Sequence, residues 1–233
     1  HYLSTDNSMN NASCLSLPVS LCACVGLIFA AAPASADDAN RADADGWYSL
    51  FNGKDLTGWK VSEDNPDTFR VVDGEIIAHG PVAHLYYVGP VNNAKFKNFE
   101  WKCEILTKPR ANSGMYFHTQ YQRLSWPKRG IEVQVNSTHP DPRKTGSIYR
   151  LRDIMNRSPA KDDEWFTQHV IVNGRHIVVK VNDKVVNEYV QPENLKRESG
   201  WEKNVLSSGT FALQGHDPES EVHYRKVLVK PLP

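Results

Sequence analysis

The stretch Gly130-Ile131-Glu132-Val133-Gln134-Val135-Asn136 carries the strongest chemical pattern in the chain. As a strand it turns Ile131, Val133 and Val135 to one face and Glu132, Gln134 and Asn136 to the other. A carboxylate and two amides in one row make a comb of donors and acceptors suited to sugar hydroxyls. By itself the row also fits the wet face of an ordinary amphipathic strand. Three further segments favour a site. In Asn112–His118, Met115 and Phe117 alternate with Tyr116 and His118. In Phe211–His216, Phe211 and Leu213 alternate with Gln214 and His216, and Thr145–Tyr149 brings in Tyr149 after a turn. Each segment sets a glycine beside polar or aromatic groups, which permits close approach of a ligand. Tyr and Trp faces stack on the CH surfaces of pyranoses, while planar Glu, Gln, Asn and His groups bond their hydroxyls. Trp126, in a loop just before the comb, is either such a platform or a loop anchor.

Strands must position these groups, because the dominant period from Trp47 to Pro233 is two. Candidate strands are Thr68–Val72, Glu75–Ala78, Leu85–Val88, Phe99–Leu106, Gly114–Thr119, Ile131–Asn136, Ser147–Arg150, Trp165–Val172, His176–Val181, Val185–Tyr189, Thr210–Gln214 and Glu221–Val229. Asp73-Gly74, Asn173-Gly174 and Asn182-Asp183 read as tight hairpin turns. Helical periodicity is scarce, and its best candidate is a connector at Pro192–Lys196. A dozen short strands in one body of about 190 residues imply an all-β fold of two packed antiparallel sheets, a sandwich or jelly roll.

The N-terminal part reads differently. Leu15–Ala32 is an apolar run, short for a membrane span, ending in the small-x-small Ala34-Ser35-Ala36. Residues 1–36 are therefore predicted to be a secretory signal peptide, and 37–46 a flexible tether. That predicts a secreted or periplasmic protein with no span after cleavage; lipid anchoring at Cys24 is the weaker alternative. Three of the four cysteines fall in this leader, so Cys103 stands without a disulfide partner, in an apolar alternation that reads as core. The charges nearly balance, at 27 basic and 27 acidic residues over the whole chain. That argues against nucleic acid as a partner.

At the same motifs the sequence resembles the 3-keto-disaccharide hydrolase family, over Trp47–Pro233. The matching signatures include Leu50–Trp59, Asn112-Ser113-Gly114, Gly130–Gln134, Thr145–Tyr149, Glu164-Trp165, Leu213–His216 and Val227–Leu232. The resemblance implies a concanavalin A-like sandwich and cleavage of a glycoside whose sugar carries a ketone at C3. That ketone acidifies C2–H, so a base removes the proton and the C1 leaving group departs by elimination, with water added afterwards. Such a site needs one base, enolate-stabilising donors and an acid, rather than the carboxylate pair of most glycosidases. Glu132 or His118 is the expected base and His216 an acid or second ligand. Asn112, Tyr116, Gln134, Tyr149, Gln214, His84 and Trp126 are expected to bind a carbohydrate substrate. His118 stands where the family commonly has Arg, and Lys226 where its closing segment commonly has Asn. The motifs specify no cofactor, and a divalent metal stays open through tertiary convergence of His84, His118, Glu132 and His216. His79, His139, His169, His176 and His223 are assigned no role. Two other readings remain open: a non-catalytic carbohydrate-binding module, and an ordinary hydrolase pairing Glu132 with Asp153.

Overall fold

The computed structural model describes residues 41–233. The predicted signal peptide, the Cys24 anchor and the first part of the predicted tether lie outside them. Thirteen strands follow in chain order: β1 (Tyr48–Ser49), β2 (Trp59–Val61), β3 (Phe69–Val72), β4 (Glu75–His79), β5 (Ala83–Tyr87), β6 (Phe99–Thr107), β7 (Asn112–Thr119), β8 (Ile131–Asn136), β9 (Phe166–Asn173), β10 (His176–Val181), β11 (Lys184–Val190), β12 (Thr210–Gly215) and β13 (Glu221–Pro231). They build two antiparallel sheets. One runs β11-β10-β9-β6-β13-β4-β3, with β1 joined to β13; the other is five-stranded, β2-β5-β12-β7-β8. The fold is the predicted all-β sandwich.

Alternation explains the layers. Phe99, Trp101, Cys103 and Ile105 of β6 face Met115 and Phe117 of β7, Val133 and Val135 of β8, and Phe211 and Leu213 of β12 in one dry core. Each such side chain contributes about 1.5–3 kcal/mol by leaving water. Aromatic stacking knits the layer, with Phe211 stacked on Trp101 at 4.4 Å and on Phe96 at 4.5 Å between ring centres. Two-residue turns close three hairpins, at Asp73-Gly74, at Gly174-Arg175 (one residue on from the expected Asn173-Gly174) and at Asn182-Asp183. Asp73 and Gly74 have φ of 50° and 80°, and Asn182 and Asp183 of 48° and 63°, the left-handed pairs that match strand twist.

Three local expectations differ from what forms. Ser147–Arg150 is not a strand: Ile148 makes only isolated bridges to Val133 and Arg152. The segment follows the free edge of β8, exchanging hydrogen bonds with Asn136, Gln134 and Glu132 while turning away through Gly146. Pro192–Lys196 is turn and extended chain, not helix. Its one apolar residue, Leu195, offers no stripe for a helix to bury. Strands β1 and β2 were too short to show a period. The end of the predicted tether is also structured, since the Asp43 carboxylate accepts the backbone N–H groups of Asp45 and Trp47.

Candidate active site

The site lies on the face of the five-stranded sheet turned away from the core. Across β7 and β8, Tyr116 stands opposite Glu132, Gly114 opposite Gln134 and Asn112 opposite Asn136. On the other side of β7, Ala212 pairs with Tyr116, and Gln214 of β12 pairs onward with His84 of β5. Because both sheet faces are covered, this polar row is buried rather than wet.

Glu132 is its centre. It is 8% exposed. Tyr116 Oη donates to Oε2 at 2.7 Å and Gln214 Nε2 to Oε1 at 3.0 Å. Burial lifts its pKa to about 7, although both of those bonds favour the ionised form. Burial also pushes the Tyr116 phenol up, so that it stays a donor. The glycine at 114 makes this geometry possible. A Cβ there would stand 2.3 Å from Glu132 Oε1, so the carboxylate leans over a place only glycine leaves open.

Beside it, Gln134 Nε2 donates to Asn112 Oδ1 at 2.6 Å, which fixes both amides. The carbonyl oxygens of Gln134 and Gln214 are buried without a partner. Buried unpaired acceptors are uncommon, and here both belong to residues lining one cavity. At the end of β12, His216 Nδ1 donates to Asp217 Oδ2 at 2.7 Å. Asp217 in turn accepts from the backbone N–H groups of Glu219 and Ser220 and from Ser220 Oγ. Burial opposes ionisation of Asp217, but the bonds from His216 and Ser220 hold its pKa below the usual carboxylate range. An ionised Asp217 fixes the His216 tautomer and leaves Nε2 as its free nitrogen.

Loops complete a cavity of about 740 Å³ above this floor. Trp126 packs edge-on against both His84 and His216, at 5.5 and 5.4 Å. Its loop is tied down by Gln122, whose Nε2 donates to Trp126 O, and by Ser125 N–H on Asp64. Opposite, Tyr149 is carried in by the turn along the β8 edge and lies 5.8 Å from Trp201. Eight sequence-predicted residues therefore line one cavity: Glu132, Gln134, Asn112 and Tyr116 from β7 and β8, Gln214 and His216 from β12, and Trp126 and Tyr149 from loops.

Two are placed elsewhere. His84 is fully buried behind Tyr116 and Trp126, both ring nitrogens without partners, and burial lowers its pKa to about 3. His118 does not share the Tyr116 face. Between the pairs Tyr116–Ala212 and Thr119–Thr210, two residues of β7, Phe117 and His118, oppose one of β12, Phe211, and His118 takes φ 55° within this bulge. The extra residue resets the alternation and packs the ring against Phe99 and Phe117. Nε2 meets Lys97 O at 2.9 Å and Nδ1 accepts the Ser207 N–H at 3.1 Å, while burial lowers the pKa to about 4. Both nitrogens are committed, so His118 has neither the position nor the lone pair for a base at this cavity. The quartet His84, His118, Glu132 and His216 accordingly does not converge on a metal position.

Sequence reasoning missed His139, Asp217 and Trp201. His139 lies 5.4 Å from His216, ring to ring, and its Nδ1 is 3.3 Å from Asn112 Nδ2. Among the described residues, His139, His216 and Asp217 are the group whose ligand atoms gather within 4.8 Å of one another. Since both Asp217 oxygens are already engaged, the group serves to orient His216 as it stands. The one sequence signal was the Asp directly after His216. Asp153, the suggested carboxylate partner, instead pairs with Arg143 at 3.0 Å.

A sequence profile described as the 3-keto-alpha-glucoside-1,2-lyase-like domain matches residues 46–230. A 3-keto-disaccharide hydrolase of Bacteroides thetaiotaomicron is 28% identical over 173 residues, covering 63% of this chain. The chain spans 59% of that relative's length. A solved structure of a candidate glycosyl hydrolase from Parabacteroides distasonis aligns with TM-score 0.69 at 23% identity, over 83% of this chain and 99% of that one. The carbohydrate-binding module CBM66 of Bacillus subtilis aligns at 0.52 and 13% identity, over 74% and 95%. These two likenesses speak to the fold alone. By the profile that spans its sandwich, the chain belongs to the 3-keto-alpha-glucoside-1,2-lyase-like domain family.

Proposed function

We propose that this protein cleaves 3-keto-glycosides by elimination, with Glu132 as the base. The observation that carries the reading is Glu132 itself, a buried carboxylate on a cavity floor, held by two donors, with a pKa of about 7. A base serves best when its pKa lies near the working pH. In the proposed step the C2–H bond breaks and its proton passes to Glu132, while the bonding pair becomes the C2–C3 enolate. The C1–O bond then breaks, its pair leaving with the departing oxygen, which takes the Nε2 proton of His216 in its doubly protonated, imidazolium form. Asp217 is a positioning residue for that histidine. Asn112, Gln134 and Tyr149 place the keto sugar, and water added across C1–C2 completes a net hydrolysis. The family membership and the name of the Bacteroides relative support a glycoside substrate.

The test is turnover of a 3-keto-glucoside by the wild type and by Glu132→Gln. We expect the variant to lose about 10²–10⁴-fold in kcat while still binding the sugar, the usual contribution of one positioned base. Equal turnover in both would overturn the assignment. Binding of unoxidised glycans with no turnover in either would instead favour a carbohydrate-binding module.

A further inference from the structure

The cavity above Glu132 does not end at its rim. Lys128, Glu202 and Lys203 also line a second cavity of about 560 Å³, which continues over Gln120, Arg129 and Ser207. Both volumes fall within the roughly 300–1,000 Å³ of small-ligand sites. The two differ in charge. Besides the shared Lys128, Glu202 and Lys203, the first holds the carboxyl groups of Glu132 and Asp141, the latter 3.8 Å from Arg143, whereas the second adds Arg129. The second is bordered by Lys128, Arg129 and Lys203, none of them in a salt bridge among the described residues, with Lys203 near enough to the Glu202 carboxylate to help hold it ionised. The Arg129 guanidinium meets only neutral groups: Gln120 Oε1 at 3.4 Å, Ser207 Oγ at 3.1 Å and Ser208 O at 3.2 Å. Lys128 and Lys203 stand exposed. Glu202, the one acid of this wall, accepts the Gly200 N–H on both oxygens, at 3.1 and 3.0 Å.

We infer that the second cavity receives the leaving-group half of the substrate and selects a leaving group bearing a carboxylate, sulfate or phosphate. This rests on the reading of Glu132 as base, because that reading puts the keto sugar in the first cavity. A glycoside spanning both cavities then has one productive direction. An anionic group is repelled from the Glu132 and Asp141 side and drawn to Lys128, Arg129 and Lys203. The charge difference therefore orients the bond to be broken as well as adding affinity.

The probes are 3-keto-glucosides of one phenol, neutral or carrying a carboxylate, a sulfate or a phosphate. At low ionic strength the favoured anionic probe should show kcat/KM about tenfold above the neutral one, through KM. The ratio should fall towards one in the double variant Lys128→Gln/Lys203→Gln, and in about 1 M salt, where surface charges are screened. The three anions separate the sources. Calorimetric titration with the unoxidised glucosides of the same phenols reads the preference without turnover. Equal affinity for neutral and anionic forms, or a preference unchanged in the double variant, overturns the inference. An anion preference in the titration with no turnover of any 3-keto probe leaves the subsite standing and removes the proposed reaction.

Discussion

At the scale of single residues, the pH behaviour of the reaction is set by what surrounds Glu132. Burial raises its pKa to about 7, and the bonds from Tyr116 and Gln214 limit the rise. As a base it must be ionised, so kcat/KM should climb tenfold per pH unit below about 7. Replacing Gln214 by Leu removes a bond that favours the carboxylate, so the limb should move upwards; a pH–rate profile of both proteins reads this directly. A downward or unchanged limb would mean that another group titrates. Gly114→Ala probes geometry instead. The new Cβ would meet Glu132 from Oε1 back to Cγ, at 2.3 to 2.9 Å, so the side chain must move and stability should fall by about 1–3 kcal/mol. The displaced carboxylate should lower kcat by about a hundredfold, the usual consequence of a 1 Å misplacement.

At the scale of elements, the bulge in β7 decides which residues reach the site. Its backbone is clasped by two glycines. A Cβ on Gly209 would stand 2.1 Å from Thr119 O and 2.7 Å from the His118 carbonyl carbon, and one on Gly130 2.5 Å from Phe117 O. These are backbone contacts that cannot swing away, so Gly209→Ala should destabilise by more than about 2 kcal/mol, seen as a lower denaturant midpoint. An unchanged midpoint would mean that the bulge is not held by close approach at Gly209. This bulge also marks the limit of what could be read from sequence. Alternation placed Glu132 with Gln134, Tyr116 and Gln214 because all sit in regular register. It failed at His118, because one inserted residue, invisible to a period-two count, flips every position after it. Lys226 shows the same effect from another side. The family's common Asn at this position makes sense once the register shift in β13 and φ 48° are seen, since Asn tolerates the left-handed region better than Lys. Tyr149 was legible as a residue but not as a turn. Asp217 and His139 meet His216 from irregular loops, which carry no periodic signal at all.

At the scale of the whole molecule, the site opposes the stability of the sandwich that holds it. The carboxyl group of Glu132 titrates near its usual 4.5 when the chain is unfolded and near 7 when folded. Between those values the folded protein binds the extra proton, so this group's stabilisation is fully present below about pH 4.5 and is lost as pH rises through 7. The size of the shift makes that loss roughly 3 kcal/mol. Two buried histidines act in the opposite direction. His84 and His118, lowered by burial to about 3 and about 4, stay neutral in the fold while the unfolded chain protonates them below about 6.5. Their contribution is present above pH 6.5 and is lost as pH falls towards those values. The wild-type protein should therefore be most stable near neutrality, with acid unfolding driven by the histidines and blunted by Glu132. Glu132→Gln isolates one arm of this balance, since it leaves both histidines in place. Urea midpoints of the two proteins should give a difference in stability that is small and constant below pH 4.5. Above that the difference should shift steadily in favour of the variant, by about 2–3 kcal/mol at pH 8. A difference that stays flat from pH 4.5 to 8 would show that Glu132 ionises in the fold without penalty, and the shifted base on which the elimination reading stands would go with it.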